Sequence, residues 1–349
     1  GDGISSDGIV EGNIIYENGR AGGAGINLDG AVNTRVFNNL LYNNHASGIA
    51  LFRIDAASGA KDCEVFNNTI VHPSDGRWAV LINGGSTGAT LYNNILINQH
   101  SFRGSISIEP TSVAGFVSNN NILVNRFSTD DGETTLTLAQ WQALGYDTNS
   151  TVGSALTDIF VAPTTADYHL KNGSQAIDRG TSLVSSVVTK DLDNKVRPAG
   201  VAYDIGTYES GGTVTPPPPP PPPPGNGYYV STTGNDSNNG RTQNTAFLTL
   251  QRAANVVQPG DTVRVLSGTY TGFDLRTSGT SATSRIVFRA LSGNVVINAP
   301  SATTDGINVE NANWVVIDGF KVNNQPRNCI FIAISHSVVV RNNSCFCNF

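Results

Sequence analysis

The sequence predicts an all-β fold, a parallel β-solenoid in which short strands stack coil upon coil. A motif anchored by asparagine recurs along the first part of the chain at intervals of 26, 29, 26 and 26 residues. Each copy is paired with a second short stretch in which apolar and polar residues alternate, as they do in half-buried strands. Glycine and asparagine stand at the corners, with no helical pattern between the strands. These features are typical of proteins in which each repeat contacts only its neighbours.

The recurring asparagines are expected to form a ladder inside the solenoid. They lie in related stretches such as RVFNNLLYNN, EVFNNTIVHP and TLYNNILINQ. A side-chain amide buried at a corner needs a hydrogen-bond partner, and the equivalent amide one coil away can supply it. The predicted ladder contains Asn13, Asn39, Asn68, Asn94 and Asn120.

The coil pattern stops in the middle of the chain and then returns. Residues 128–212 read as one short helix, with Trp141 packed beneath it, followed by irregular loops and short strands. Further coils are predicted in the stretches DTVRVLSGTY, SRIVFRA, NWVVIDGFKVNN and HSVVVRNNSCFCN. Just before them, TAFLTLQRAANVVQPGD has apolar residues at helical spacing and ends at Pro259-Gly260. This helix is expected to cover the open end of the solenoid, which would otherwise be an exposed edge.

Four segments follow from this pattern. Residues 1–127 are predicted to be the C-terminal coils of a β-helix, and residues 128–212 its end segment. Residues 213–227 are predicted to be a polyproline linker, whose nine consecutive prolines run from Pro216 to Pro224. Residues 228–349 are predicted to be the N-terminal cap and first coils, of the same β-helix or of another copy.

Composition argues against several partners. The formal net charge is -6 and the isoelectric point is about 5.3, which disfavours nucleic acid and anionic membranes. No window is long and apolar enough to span a membrane. The low lysine content and abundant Asn, Thr, Ser and Gly resemble secreted bacterial surface proteins, so we expect an extracellular or cell-surface location.

The cysteines and acidic motifs give weak indications of covalent or metal chemistry. Cys345 and Cys347 point to the same side if they share one strand, and a disulfide from Cys329 to one of them is one interpretation. Ordinary buried thiols are the alternative. The stretch DLDN at residues 191–194 resembles a short Ca²⁺ loop but lacks further ligands at the required spacing, so a plain turn is favoured. No metal site and no cofactor are predicted.

Two stretches carry a family resemblance. The segment YYVSTTGNDSNNGRTQNTAFLTLQRAANVVQPGDTVRVLSGTY resembles the N-terminal cap and first coil of secreted right-handed parallel β-helix proteins, a group that includes polysaccharide lyases. DYHLKNGSQAIDRG and DLDNKVRPAGVAYDIGTYE resemble the C-terminal end of such domains. The resemblance implies a right-handed parallel β-helix with a short capping helix and an irregular end segment. It implies a fold and not a reaction.

The order of these segments is inside out relative to that family, because the end segment precedes the cap. Three explanations remain open: one period of a tandem array, a circular permutation, or half-domains that complete a neighbouring copy. The nine prolines would form a stiff rod roughly 28 Å long. Such a rod suits a spacer between bodies or a strut along one body.

A lyase would need a cation that neutralises a uronate carboxylate and a base that removes the adjacent proton. Stacking the alternating strands with Ile26, Ile49, Val80 and Ile106 inward places one outward column at Asn27, Ala50, Leu81 and Ser107. The second outward column is Asp29, Phe52, Asn83 and Glu109, and it extends to Glu310 and Ala333 if the later strands continue the pattern. The best candidate cluster combines Asp29 with Arg53, Asp55 and Lys61 in the neighbouring turn. The alternative is a solvated turn with ordinary salt bridges.

The sequence alone therefore favours a structural role. Our first hypothesis is an extracellular β-helix module, one period of a tandem or self-assembling surface fibre, in which neighbouring copies associate. The alternative is a polysaccharide lyase or glycan-binding β-helix that acts on acidic polysaccharide. The predicted outward columns carry isolated acidic residues and no charged groove, which favours a protein that is not an enzyme.

Overall fold

The structure is a computed structural model that describes residues 6–211 and 227–346. The predicted polyproline linker, with Pro216 and Pro224, lies outside the described residues apart from Gly227. Cys347 lies outside them as well.

Thirty short strands dominate the described chain, and three short α-helices accompany them. The strands are β1 (Ile9–Glu11), β2 (Ile14–Tyr16), β3 (Ala24–Asp29), β4 (Arg35–Phe37), β5 (Leu40–Tyr42), β6 (Ser47–Phe52), β7 (Glu64–Phe66), β8 (Thr69–His72), β9 (Val80–Ile82), β10 (Thr90–Tyr92), β11 (Ile95–Asn98), β12 (Ile106–Ile108), β13 (Val117–Asn119), β14 (Ile122–Leu123), β15 (Phe127–Ser128), β16 (Thr151–Val152), β17 (Phe160–Ala162), β18 (Asp167–Leu170), β19 (Gly227–Val230), β20 (Thr262–Val265), β21 (Gly268–Thr271), β22 (Phe273–Leu275), β23 (Ile286–Ala290), β24 (Val295–Ala299), β25 (Ile307–Glu310), β26 (Val315–Asp318), β27 (Lys321–Asn323), β28 (Ile330–Ala333), β29 (Val339–Arg341) and β30 (Ser344–Phe346). The helices are α1 (Leu138–Ala143), α2 (Leu156–Ile159) and α3 (Leu250–Ala254), with 3-10 turns at Pro110–Ser112, Pro163–Thr165, Ser182–Val184 and Gln243–Thr245.

The described chain divides into two compact units. The cap unit contains residues 6–14 and 227–346, and the end unit contains residues 15–211. In both units parallel strands stack coil on coil, so the predicted all-β parallel β-helix is confirmed. Among the described residues, no helix is long and apolar enough to cross a membrane.

Three parallel sheets build the cap unit. Cap sheet 1 has the order β19-β20-β23-β26-β29-β1, cap sheet 2 the order β21-β24-β27-β30, and cap sheet 3 the order β22-β25-β28. Alternate side chains of every strand point inward, because the side-chain period of a strand is two residues. Phe273, Phe288 and Ile317 are among the fully buried residues that fill the interior.

The predicted capping helix is present but short. Thr249 caps α3 by accepting a hydrogen bond from the amide of Arg252. Leu250, Ala253 and Ala254 are buried and belong to the same core as the coils. The remaining apolar residues of the predicted helix, such as Phe247 and Val257, reach that core from turns.

The end unit repeats this plan and adds the end segment. Its coil strands form the orders β4-β7-β10-β13, β5-β8-β11-β14-β16 and β3-β6-β9-β12-β15. In the last of these sheets Ile26, Ile49, Val80 and Ile106 stand opposite one another, and all are buried as predicted. The predicted short helix is α1. Its residue Trp141 is fully buried beneath the helix and stacks on Phe127.

The second asparagine of each pair forms the ladder. Asn68 accepts hydrogen bonds from the backbone amide and the side chain of Asn39, each at 3.0 Å. Asn94 accepts the same two bonds from Asn68, and Asn121 accepts them from Asn94. All four side chains are fully buried.

The prediction of Asn120 as a ladder residue is wrong by one position. Asn120 has a left-handed backbone (φ 54°) and is only partly buried, whereas Asn121 occupies the ladder. Asn121 also closes the ladder, because its side chain donates to Asp147 at 2.8 Å. Three consecutive asparagines at residues 119–121 hid the correct register in the sequence.

The first asparagine of each pair has a different task. Asn38, Asn67, Asn93 and Asn120 all have positive φ, a conformation that asparagine tolerates better than most residues. Their side chains point away from the ladder and donate to carbonyl oxygens of the end segment, at Lys190, Asp204, Thr181 and Arg179 respectively. Each pair therefore turns the chain, stacks the coil and holds residues 179–206 against the corner.

The N-terminal strand lies next to a strand from the other end of the described chain. Strand β1 pairs in parallel with β29, with Val10 opposite Val340. Asn343 donates to Asn13 from its backbone amide at 3.0 Å and from its side chain at 3.2 Å. Asn343 in turn accepts the amide of Phe320. The ladder thus recurs in the cap unit, with Asn13 following Asn343.

Candidate functional site

In the end unit, the predicted cluster is organised around a turn. Both oxygens of Asp29 accept backbone amides, from Ile54 and Asp55, each at 2.9 Å. Arg53, Asp55 and Lys61 are exposed. This carboxylate therefore fixes the turn that carries Arg53 and Asp55. A catalytic role for these residues stays a prediction.

The predicted outward columns of this sheet have the expected register. Asn27, Ala50, Leu81 and Ser107 stand opposite one another on successive strands, and Asp29 stands opposite Phe52. In the first column Ala50 and Ser107 are buried, whereas Asn27 is exposed and Leu81 is half-buried. The second column, with half-buried Asp29, Phe52, Asn83 and Glu109, is the more accessible one.

The densest polar surface on the corresponding sheet of the cap unit was not predicted. In cap sheet 3 the outward residues Asp274, Asn308 and Phe331 stand in one row. Arg276 follows β22 and donates to the side chain of Asn308 at 2.9 Å. Its other terminal nitrogen lies 2.8 Å from a carboxylate oxygen of Glu310.

A buried carboxylate extends this arrangement to the next coil. Asp305 is fully buried, and Arg327 binds both of its oxygens, with the Nε at 2.9 Å. Asn328 donates to the same carboxylate from its backbone amide and its side chain. The side chain of Asn308 lies 3.5 Å from Asp305. We call the connected residues Arg276, Asp305, Asn308, Glu310 and Arg327 the polar network.

The two arginines of the polar network are held in place but remain accessible. The side chains of Arg276 and Arg327 are 44% and 49% exposed. The guanidinium of Arg327 lies 4.7 Å from the ring centre of Phe331, a cation–π distance. Hydrogen bonds to Asp305 raise the pKa of Arg327, so it stays charged. Fixed guanidinium groups beside an aromatic ring are suited to binding carboxylate groups of a ligand.

Only part of the polar network could have been found from the sequence. The strand alternation already placed Glu310 on the outward column. Arg276 and Arg327 lie in turns beyond the strand ends, where alternation no longer gives direction. Their convergence depends on the lengths of the intervening loops.

The other candidate residues have structural partners. Asp191 accepts backbone amides from Lys195 and Glu209, so the DLDN stretch forms a turn. Within residues 6–211 and 227–346, no group of three His, Cys, Asp or Glu residues could hold a metal ion.

No disulfide joins Cys329 to Cys345 in the described chain. Of the two partners predicted for Cys329, Cys345 is therefore wrong. Cys345 stands opposite Val322 in cap sheet 2, whereas Cys329 precedes β28 of cap sheet 3. A bond from Cys329 to Cys347 stays a prediction.

Comparison with known proteins agrees with this architecture. A family model described as "Pel9A-like, right handed beta helix region" matches residues 228–348. Among solved structures, a PL6 family alginate lyase, AlyGC, aligns with 98% of this chain at 14% identity and a TM-score of 0.23. The chain spans 46% of that lyase. No curated protein matches the chain. The family match and the coil architecture support a right-handed β-helix over residues 228–348.

One histidine gives a testable pH dependence. His72 is fully buried, and burial lowers its pKa from 6.5 to about 4. Neither ring nitrogen makes a well-formed hydrogen bond within the described chain, although the backbone of Asn44 lies close and slightly favours protonation. The folded protein therefore holds this ring neutral.

The pKa of His72 is lower in the folded protein than in the unfolded protein. The contribution of the neutral ring to stability is therefore fully present above pH 6.5 and is lost as the pH falls towards 4. We expect a cost of about 1.4 kcal/mol on going from about pH 7.5 to 5.5. Urea unfolding of His72→Leu should lack this component, while His336→Gln should keep it. Identical pH profiles for the native protein and His72→Leu would contradict this assignment.

Proposed function

We propose that the protein binds an acidic polysaccharide across cap sheet 3, with Arg276 and Arg327 contacting carboxylate groups of the sugar. The observation that carries this proposal is the polar network, which fixes two half-exposed guanidinium groups beside Phe331. The polysaccharide-lyase-like β-helix of the same residues supports it. An extracellular location is part of the proposal, because such polymers lie outside the cell.

A network of this kind favours binding because the arginines are already ordered. Glu310 and Asn308 fix Arg276, and both oxygens of Asp305 fix Arg327, so little rotational freedom is lost on contact with a ligand. The carboxylates of Asp305 and Glu310 would remain bound to the arginines, which have further N–H groups for a second partner.

We expect Arg276→Gln to weaken binding to polygalacturonate or alginate about tenfold, because one charge-assisted hydrogen bond is lost. Binding can be measured by calorimetry, with neutral dextran as the non-binding polymer. Arg35→Gln is the matched control, since Arg35 is 50% exposed and also pairs with a glutamate. If the native protein releases unsaturated uronate products and Arg276→Gln slows this release, the function extends to that of a lyase. Unchanged binding by Arg276→Gln would contradict the proposal.

A second candidate function, assembly of copies into a fibre, is favoured by the pairing of β1 with β29. Because the paired segments are so distant in sequence, the same contact could form between two copies. Segment exchange of this kind would let neighbouring copies complete one another and would give self-association.

Cross-linking can distinguish the two arrangements. Val10 and Val340 stand opposite each other on neighbouring strands, within the range of a disulfide. If copies exchange segments, the Val10→Cys/Val340→Cys variant will run as covalent dimers and larger species on a non-reducing gel. Light scattering of the native protein should then show a mass that grows with concentration. A cross-linked monomer with constant mass would contradict the assembly hypothesis.

A further inference from the structure

A column of charged side chains runs along the outside of cap sheet 1. Successive strands place one charged residue each at the same register position, and pairing brings them face to face across the coils. In spatial order the column is Arg264, Arg289, Asp318, Arg341 and Glu11. Neighbouring strands lie about 4.8 Å apart, so the column follows the direction in which the coils stack.

One carboxylate in this column is shared between two arginines. Asp318 lies 3.0 Å from the Nε of Arg289 and 3.1 Å from a terminal nitrogen of Arg341. Asn342 donates to its other oxygen at 2.9 Å. Glu11 is the next carboxylate, 3.9 Å from Arg341. Burial raises the pKa of Glu11, and the charge of Arg341 opposes that shift.

Arg264 of the column and Arg285, which precedes β23, lie against aromatic rings. The guanidinium of Arg264 is 5.3 Å from the ring centre of Tyr229, and that of Arg285 is 5.1 Å from the ring centre of Trp314. Within the described chain, neither arginine has a carboxylate at ion-pair distance. We call Arg264, Arg285, Arg289 and Arg341 the arginine face.

The arginine face therefore has an excess of positive charge in a chain whose formal net charge is -6. Among residues 6–211 and 227–346, the charged column and Arg285 together contain four guanidinium groups and two carboxylates, Asp318 and Glu11. Burial, and to a lesser extent the like charge of Arg341, lowers the pKa of Arg285. Like charges gathered on one surface repel one another, and an anionic ligand would relieve that repulsion.

We propose that the arginine face is a second binding surface, on which a segment of an acidic polysaccharide lies along the stacked coils. It occupies a different sheet from the polar network and does not depend on binding there. The aromatic rings of Tyr229 and Trp314 favour a sugar polymer, because they offer apolar surface beside the cations. The acidic remainder of the chain disfavours nucleic acid, whose phosphates are more densely charged.

The test removes the two arginines that have no carboxylate partner. In a protein that already contains Arg276→Gln, we expect Arg264→Gln/Arg285→Gln to weaken the remaining binding to immobilised polygalacturonate. Loss of two half-buried charge contacts, each worth about threefold, gives a change of roughly tenfold at low salt. The change should shrink at physiological salt, where exposed charges are screened. Circular dichroism and thermal unfolding establish that the variants fold.

Arg20→Gln/Arg35→Gln is the matched control, because it removes the same charge from exposed positions in the end unit. A tenfold loss in the arginine-face variant, with little loss in the control, supports the proposal. An equal loss in both variants would overturn it, since net charge alone would then explain binding. Tighter binding to a DNA duplex than to polygalacturonate would overturn the assignment of the ligand.

Discussion

The structure depends on hydrogen bonding of side-chain amides that are buried at the corners of the coils. Each ladder asparagine accepts a backbone amide from the preceding coil and donates to backbone carbonyls, so the corner loses no hydrogen bond on leaving water. A shift of one residue would place at the corner either the following residue, such as Ile95, which has no side-chain amide, or the first asparagine of the pair, whose backbone has a positive φ. The ladder therefore fixes the register of each coil against the next.

Fixed register has consequences on the outer surface. Because strands stack without slippage, equivalent residues form straight columns, and one charged position per coil becomes a line of charge. The arginine face and the polar network are both products of this stacking, on two sheets of the cap unit. At the same corners, the first asparagine of each pair donates to carbonyl oxygens of the end segment and so anchors it in the end unit.

The sequence predicted the elements whose patterns are local. Alternation identified the inward residues Ile26, Ile49 and Val80, and helical spacing identified the capping helix that precedes Pro259. It misplaced the ladder at Asn120, because three adjacent asparagines satisfy the same pattern in two registers. The polar network depends on turn residues such as Arg327, whose direction no periodicity gives. The charged residues of the column occur in VRV, VFRA, VIDG and VVRN. That they lie side by side follows only from the pairing of strands that are not adjacent in sequence.

The central claim is that the ladder amides stabilise the stacking of the coils, and Asn68→Ala tests it most directly. Asn68 is fully buried and makes hydrogen bonds to Asn39, Asn94 and two backbone carbonyls. Its loss leaves several buried groups without partners, and we expect the free energy of unfolding in urea to fall by about 3 kcal/mol or more. The exposed substitution Asn172→Ala should change it by less than about 0.5 kcal/mol. Equal unfolding free energies for the two variants would contradict the account.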